Sequence, residues 1–481
     1  MTPARPPMIC LEFNELTPHL MDGFIAAGRL PNFAKLKSQS QAFVSDAQAS
    51  GEWLNPWVQW VSVHSGLTPE EHGVFKLSNA YRLEKPAVWD LLSRAGHKVW
   101  ICGSMNAWFR DSLDGHLLPD PWCQNTSEVP SGEFADYLTF IQKNVQEYGN
   151  TQSPTTKQDA LKFVLFMVRN GLSFGTGLRI LKQLVRERRG NHRWRRASTL
   201  DELQYDLFAA FYRRHRPAFS TFFINSTAHY QHKFWRNMHP ELFEIQPTAE
   251  EQRDYGDAIL FGYQEMDRLV GRVMRLAPDA TIALVTGLGQ QPYTRMEAEG
   301  GKRFYRLRSE QVIRDLLGVP GNFRYEPIMS DEFFLRCNDV ASAQAAADQL
   351  LAFRLPHGGE AFAAEVSGTD VMGQCRCRKI VDKTGILTHA TTGQALKFHD
   401  VFYKVDSLKS GFHHPDGILW WRQAGLPAGV AEEKVPLIDI APTILDYFGV
   451  PKPAHMRGTP FVRDEQSVEK AKRPATVTVR V

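Results

Sequence analysis

The sequence predicts an α/β protein in which a doubly wound, mostly parallel sheet is covered by helices on both faces. Several short runs are continuously apolar, as buried strands of a parallel sheet are. They lie at Met8–Phe13, His97–Cys102, Phe219–Ile224 and Thr281–Thr286. Helical patterns separate these runs, and an alternation of strands and helices is typical of doubly wound folds.

The predicted helices follow the strands in order along the chain. They are Pro18–Ala27, Pro31–Lys37, Ala87–Ala95, Leu200–Arg214 and Tyr255–Leu276. A further short helix has the clearest ends: Asn55 is suited to the N-cap, Pro56 to the first helical position, and Gly66 to a left-handed end. The start of such a helix presents backbone N–H groups and a positive dipole end, which suit a phosphate or sulfate group.

The composition of the 481 residues is that of a globular protein. The net charge of +3 does not favour nucleic acid as a partner. No stretch of about 18 uncharged apolar residues is present, and the apolar run Met8–Leu11 is too short for a secretory signal. The six cysteines are mostly far apart, so we expect free thiols and a cytoplasmic protein.

Two stretches depart from the alternating pattern of a single domain covering residues 1–481. Residues 155–197 are helical, apolar in the first half and basic in the second. They form either a solvated excursion or, through residues 182–196, a lid or a contact with an anionic phospholipid surface. Residues 301–406 suggest a small α+β insertion, with a strand at Glu332–Arg336 and a helix at Ala341–Leu351.

Four motifs occur in a fixed order along the chain. They are Gly28–Leu36 (GRLPNFAKL), Gly66–Gly73 (GLTPEEHG), Gly411–Gly417 (GFHHPDG) and Asp439–Gly458, which begins DIAPTILD. Together they resemble the alkaline phosphatase superfamily, specifically its type I phosphodiesterase/nucleotide pyrophosphatase-like branch. The resemblance implies an alkaline-phosphatase-like fold and a small-molecule substrate that carries a phosphate or sulfate ester.

Members of that branch usually hold two metal ions with Asp and His ligands and attack with a Thr or Ser hydroxyl. In this chain the corresponding positions are Asn14 for the first-strand Asp, Pro56 for the nucleophile, Asn225 for the Asp of D-x-x-x-H, and Thr286–Gly289 for the later Asp–His pair. His229 and His413 are retained. Most of the negative charge of a two-metal site is therefore absent, and we expect a non-standard site.

A single divalent ion (Zn, Mn or Fe) is one interpretation, and a metal-free site is equally open. His229, His232 and His413 are the candidate metal ligands, completed by Glu12 or Glu15. His229 and His232 are three residues apart and share a face if a helix follows the strand. A site with an open position would activate water and so replace the missing hydroxyl nucleophile. Isolated histidines are more often structural, which is the alternative for each of the three.

The remaining candidates are polar residues near predicted strand and helix ends. Glu12, Glu15 and His229 are the candidate catalytic residues, with a glutamate after the first strand acting as base. The candidate substrate-binding residues are Asn14, Asn55, Asn106 and Asn225. We expect a divergent hydrolase or transferase, because a decayed site would be expected to fill with apolar side chains. The alternative is an inactive superfamily member that acts as a binding or scaffold protein in a biosynthetic pathway.

Overall fold

The computed structural model describes residues 5–123, 125–147, 155–328, 331–405 and 408–462. The strands are β1 Met8–Phe13, β2 Gln41–Asp46, β3 Val99–Cys102, β4 Gly115–Leu118, β5 Phe219–Ile224, β6 Thr281–Val285, β7 Gly289–Pro292, β8 Tyr305–Leu307, β9 Phe323–Pro327, β10 Glu332–Cys337, β11 Phe353–Arg354, β12 Phe362–Ser367, β13 Asp370–Cys375, β14 Ile386–His389, β15 Ala395–Lys397, β16 Phe402–Lys404, β17 Gly411–His414, β18 Asp416–Arg422 and β19 Gly429–Pro436. The α-helices are α1 Pro18–Ala26, α2 Pro31–Lys37, α3 Pro56–Ser65, α4 Pro69–His72, α5 Val88–Arg94, α6 Ala135–Glu147, α7 Lys157–Arg169, α8 Phe174–Glu187, α9 Ala197–His215, α10 Ser226–Met238, α11 Ala249–Tyr255, α12 Ala258–Leu276, α13 Val340–Leu351, α14 Phe398–Val401 and α15 Ile440–Phe448.

The main sheet is mostly parallel. Among the described residues it has eight strands in the order β19-β2-β18-β6-β1-β5-β3-β4. Strand β1 pairs in parallel with both β5 and β6, so Met8 lies between Phe219 and Thr281. Strand β18 runs antiparallel to both of its neighbours, β2 and β6. The predicted α/β class with a mostly parallel sheet is confirmed, and the reversed strand β18 is an addition to it.

Helices cover both faces of this sheet because its buried strands are apolar on both sides. Ile9 and Leu11 of β1 belong to a hydrophobic cluster with residues of α1, α2, α9, α10 and α12. Met8 and Cys10 alternate with them and belong to a cluster on the other face with residues of α3, α5 and α15. The same alternation directs Glu12 toward α3.

Helix α3 follows the prediction at both ends but differs at its cap. It begins at Pro56 and is ended by Gly66, whose φ of 65° lies in the left-handed region that favours glycine. Asn55 occupies the N-cap position, yet its side chain donates a hydrogen bond to the Glu52 carbonyl oxygen instead of accepting one from the helix. The predicted N-cap position of Asn55 is therefore confirmed, but its side chain does not accept a hydrogen bond from the helix.

The two departing stretches contain the predicted kinds of elements. Helices α7 and α8, followed by a short 3₁₀ turn at Arg193–Arg196, occupy the basic stretch. Residues between Tyr305 and Phe402 pack around a separate hydrophobic cluster, which joins strands β8–β13 to helix α13. In the part of the chain that the structure describes, no helix combines the length and apolarity needed to cross a membrane.

A two-stranded sheet formed by β7 and β17, named the β7–β17 pair, packs against α10. Strand β17 pairs antiparallel with β7, and Gly411 lies opposite Pro292. A Cβ atom at Gly411 would stand 2.3 Å from both the Gln231 carbonyl oxygen and Trp235 Cδ1 of α10. Only a glycine at position 411 therefore allows the β7–β17 pair to lie this close to α10.

We expect Gly411→Ala to lower the free energy of unfolding by about 2 kcal/mol, because the added methyl group must push the β7–β17 pair and α10 apart. Urea unfolding at equilibrium measures this change. Gly429→Ala is the matched control, since no atom lies within 4 Å of its added Cβ and its φ is ordinary. Equal effects of the two substitutions would contradict the close packing at Gly411.

Candidate functional site

Three of the predicted site residues meet at one edge of the main sheet. Glu15 follows β1, His232 lies on α10, which follows β5, and His413 lies in β17. Strands β1 and β5 are parallel neighbours, so the segments that follow them emerge at the same edge. Ligands of open α/β sheets bind at this carboxyl edge.

The side chains of Glu15, His232 and His413 form a compact group. Glu15 Oε2 lies 3.1 Å from His232 Nε2, and Glu15 Oε1 lies 3.8 Å from His413 Nε2. The two imidazole rings are nearly perpendicular, with centroids 5.3 Å apart. One ligand atom from each of the three residues lies within 4.8 Å of the others. Two imidazoles and one carboxylate are a donor set suited to Zn²⁺, Fe²⁺ or Mn²⁺.

The hydrogen bonds of His232 determine which of its ring nitrogens faces Glu15. His232 Nδ1 lies 3.0 Å from the Gly411 carbonyl oxygen. A carbonyl oxygen only accepts, so Nδ1 carries the hydrogen and donates it. In neutral His232, Nε2 would then point a lone pair at the Glu15 carboxylate. A proton or a metal ion between the two atoms removes this repulsion, and a backbone carbonyl that orients the far side of the ring is usual for a metal-bound histidine.

Glu15 is held in place by its backbone conformation and by amide groups. Its φ of 61° is in the left-handed region, which costs a non-glycine residue about 1 kcal/mol and directs the side chain away from the continuation of β1. Asn14 Nδ2 donates to Glu15 Oε1 at 3.1 Å, and Gln290 Nε2 donates to Oε2. Gln231 Nε2 donates to the Glu15 backbone carbonyl. The carboxylate is thus oriented before any ligand binds.

The electrostatics of the group favour a cation. Burial by itself would raise the pKa of Glu15, but the charges of His232 and His413 and hydrogen bonds from His232 and Gln290 lower that pKa to about 2. Burial lowers the pKa of His413 to about 3, against the opposing effect of the Glu15 carboxylate. At neutral pH His413 is therefore neutral, as a metal ligand must be.

Two lysines, Lys302 and Lys409, lie near this group and make no salt bridge with any carboxylate in the described part of the chain. Lys302 Nζ and Lys409 Nζ each lie 4.8 Å from the centre of the Phe412 ring. Among the described residues, neither lysine forms a salt bridge. Burial and the charge of Lys302 lower the pKa of Lys409 to about 8, although Glu15 acts in the opposite direction. Both lysines line a small cleft that Glu297 also lines, and the two ammonium groups give it a net positive charge that suits an anionic ligand.

The other polar candidates next to this group are Asn14, Asn225 and His229. Asn14 Nδ2 donates to Asn225 Oδ1 at 2.8 Å as well as to Glu15. Trp60 Nε1 of α3 donates to Asn14 Oδ1 at 2.9 Å. His229 lies outside the Glu15–His232–His413 group, and burial together with the charges of Lys233 and His232 lowers its pKa well below the usual value. The structure thus replaces the expected three-histidine convergence with two histidines and a glutamate.

Glu12 is not brought to this group. It faces α3, where Glu12 Oε1 lies 2.9 Å from His64 Nε2, and both side chains are almost fully buried. The His64 ring packs between Trp60 and Trp89, with centroids 5.7 and 4.7 Å away. Glu12 is therefore part of an internal polar pair on the opposite side of β1 from the residues of α10.

Asn55 and Asn106 contact backbone around the start of α3. Asn106 Nδ2 donates to the Trp57 carbonyl oxygen at 3.0 Å, and Asn106 is almost fully buried. Asn55 is half-buried and donates to the Glu52 carbonyl. The Leu54 carbonyl, just before the helix, lies beside the His413 ring and favours its protonated form. The start of α3 thus adjoins the site through a carbonyl group, whereas an anion would need N–H groups.

Sequence reasoning missed Gln231, Gln290, Lys302 and Lys409. The two glutamines belong to no motif, and their role depends on contacts between α10, β7 and the residue after β1. Lys409 carried one usable signal, since it lies two residues before the motif that begins at Gly411. Lys302 had none, because more than a hundred residues separate it from Phe412.

No protein-family model matches the chain, and no curated protein matches it significantly. The resemblance to the alkaline phosphatase superfamily therefore stays a prediction that depends on four motifs.

The carboxyl group of Asp120 is buried beside the backbone N–H group of Asn106. Asp120 follows β4, is 1% exposed, and accepts a hydrogen bond from the Trp122 backbone N–H at 2.9 Å. Burial raises the pKa of Asp120 to about 7, although N–H groups of Trp122 and Asn106 act in the opposite direction. The folded protein therefore keeps a proton on Asp120 that the unfolded chain releases near pH 4, and this contribution to stability is lost as the pH rises from about 4 through 7.

We expect Asp120→Asn to gain stability relative to the wild type as the pH rises from about 5 to 8, by about 2 kcal/mol, because an amide avoids the cost of a buried carboxylate. Urea unfolding at both pH values measures the difference. Asp279→Asn, at an exposed position, is the control. A difference between Asp120→Asn and the wild type that does not change with pH would show that Asp120 is ionised in both states.

Proposed function

We propose that this protein is a divergent hydrolase or transferase of alkaline-phosphatase-like fold that acts on a phosphate- or sulfate-ester substrate through a mononuclear metal site. The observation that carries the proposal is the contact of Glu15 with His232 and His413 at the carboxyl edge of the sheet. The arrangement of these three side chains fits a divalent cation, since His232 Nε2 and the Glu15 carboxylate face each other and require positive charge between them.

The charge of the site supports one ion rather than two. Two divalent cations at close distance need several carboxylates to offset their repulsion. Asn14 and Asn225 carry neutral amides at positions where the resemblance implies carboxylates, so within the described group Glu15 supplies the negative charge. Pro56 has no hydroxyl group, and attack by water or by an acceptor alcohol therefore replaces a covalent step on the protein.

A divalent ion held by Glu15, His232 and His413 would supply Lewis acidity and lower the pKa of a coordinated water molecule. The chain's own residues orient these ligands: the Gly411 carbonyl fixes the His232 ring, and Gln290 with Asn14 fixes the Glu15 carboxylate. Lys302 and Lys409 are positioned in this proposal to bind an anionic part of the substrate, because their ammonium groups lack carboxylate partners among the described residues.

The second candidate function is an inactive binding or scaffold protein. The observation that favours it is the replacement of the nucleophile position by Pro56. In that case a proton, rather than a metal ion, bridges His232 and Glu15, and the lysines still bind an anion. Metal content and turnover together distinguish the two functions.

We expect the purified protein to bind about one Zn²⁺, Mn²⁺ or Fe²⁺ ion per chain and to hydrolyse a member of a panel of phosphodiesters, phosphomonoesters and sulfate esters. His413→Ala and His232→Gln should each weaken metal binding by more than about 100-fold, since loss of a ligand costs more than loss of a group that only orients one. Elemental analysis and titration calorimetry measure binding.

His357→Ala is the matched control for this experiment, because His357 is exposed in a loop remote in sequence from the site residues. Circular dichroism and Tm show whether each variant is folded. Folded wild-type protein that binds none of the three metals, or that binds one equally well without His413, would contradict the mononuclear site. Absence of both metal binding and ester turnover in a folded protein would instead favour the binding protein.

For an active ester, we expect Lys302→Gln and Lys409→Gln each to raise KM by about tenfold with a smaller change in kcat, because the lysines bind an anionic group that does not react. Steady-state kinetics measure both constants. Lys383→Gln, at an exposed position, is the control. A fall in kcat at unchanged KM would place the lysines at the reacting group and contradict a role in binding alone.

A further inference from the structure

We propose that helices α7 and α8 dock this protein onto an anionic phospholipid membrane. The proposed contact is named the α7–α8 surface and consists of nine exposed apolar side chains. They are Leu161, Val164, Leu165, Val168, Phe174, Leu178, Leu181, Leu184 and Val185. This inference is independent of the chemistry proposed for Glu15, His232 and His413.

Exposed apolar side chains are concentrated on these two helices. Among the described residues, fifteen large apolar side chains are strongly exposed, and nine of them lie between positions 161 and 185. Phe174, at the start of α8, is 87% exposed, although aromatic side chains of this size are usually buried. Single exposed apolar residues need no explanation, but a concentrated group indicates an interaction site.

The exposed residues form a continuous stripe along each helix. At about 100° per residue, Phe174, Leu178, Leu181 and Val185 fall within an arc of about 60° on α8. On α7, positions 161, 164, 165 and 168 follow the spacing of a single helix face. The apolar face therefore spans about two turns on α7 and a little over three turns on α8, as on an amphipathic helix at a membrane interface.

The opposite faces of both helices attach to the protein. Phe163, Phe166 and Met167 of α7 are buried in the main hydrophobic cluster. On α8, Thr176 is buried and Ile180 packs against the same cluster. Because the inward faces are satisfied by contacts with the fold, the outward apolar stripes are a fixed feature of the surface and do not result from loosely attached helices.

The charge of this region complements an anionic surface. Residues 155–196 contain eleven Lys and Arg residues and two acidic residues, a net charge of +9, whereas the whole chain carries +3. The two acids, Asp159 and Glu187, are paired with Lys143 and Arg196. Lys182, Arg186 and Arg189 are exposed beside the stripe of α8. Basic residues next to an apolar stripe are the combination that binds anionic lipid headgroups and the acyl boundary together.

Two other binding partners, a second copy of the chain and a nucleic acid, fit the α7–α8 surface less well. A second copy of the chain would bring the same excess of positive charge against itself in a symmetric dimer, which is repulsive. A nucleic acid would match the charge but would leave the apolar stripes in water, since its outer surface is phosphate and sugar. An anionic bilayer satisfies both the apolar and the basic groups. The structure extends the contact expected at residues 182–196 to the apolar face that begins at Leu161.

The test measures flotation of the full-length protein with lipid vesicles. We expect binding to vesicles of phosphatidylcholine mixed with phosphatidylglycerol, at least tenfold weaker binding to pure phosphatidylcholine, and weakening by added salt. Phe174→Glu combined with Leu181→Glu should reduce binding by at least tenfold. Replacing Lys182, Arg186 and Arg189 with Gln should reduce it on the order of 100-fold, since each charge contributes about fivefold.

Val340→Glu is the matched control, because Val340 is 59% exposed and Leu181 is 58% exposed, but Val340 lies on α13. All substituted positions are exposed, and unchanged Tm values confirm that the variants fold. Equal binding to both vesicle types, or none to either, would overturn the proposal. So would dimerisation in analytical ultracentrifugation that Leu181→Glu abolishes, or tighter binding to a DNA duplex than to the anionic vesicles.

Discussion

A buried carboxylate that faces two imidazoles is the constraint around which this edge of the molecule is organised. Glu15 is ionised and almost inaccessible to water, so its charge must be balanced by groups that the fold supplies. The Gly411 carbonyl determines which nitrogen of His232 faces the carboxylate. The carbonyl reaches the His232 ring because Gly411, which lacks a side chain, lets the β7–β17 pair approach α10 closely. The close packing of the β7–β17 pair on α10 thus determines how His232 is oriented toward the Glu15 carboxylate.

The fold was largely accessible from local sequence patterns. Strands Met8–Phe13 and Phe219–Ile224 have the predicted bounds because continuous apolar runs of this length fit a sheet buried on both faces. The reversal of β18 was not accessible, since its run of residues at Asp416–Arg422 would be equally apolar in either direction. Strand direction is decided by pairing partners distant in sequence, and no local pattern encodes it.

The site was only partly accessible, for a geometric reason. The sequence places Glu12 in β1 and Glu15 just after it, but alternation along the strand does not say which of the two faces the cleft. Glu12 follows the alternation and faces His64. Glu15 lies beyond the strand in a left-handed conformation, which the two-residue alternation of a strand does not predict. The choice of His232 rather than His229 as a partner of Glu15 likewise depends on the Gly411 carbonyl, which is far away in sequence.

Net charge describes this protein poorly because its charges are separated in space. Residues 155–196 carry a net charge of +9, so the rest of the chain carries −6 to reach the total of +3. The protein therefore joins a basic helical segment to an acidic remainder. Screening at physiological salt acts over about 8 Å, so a partner senses the local charge and not the sum. The small total charge therefore conceals the basic segment 155–196, and it is no argument against an anionic partner at that segment. The same reasoning applies to Lys302 and Lys409, whose local excess of positive charge is invisible in the composition.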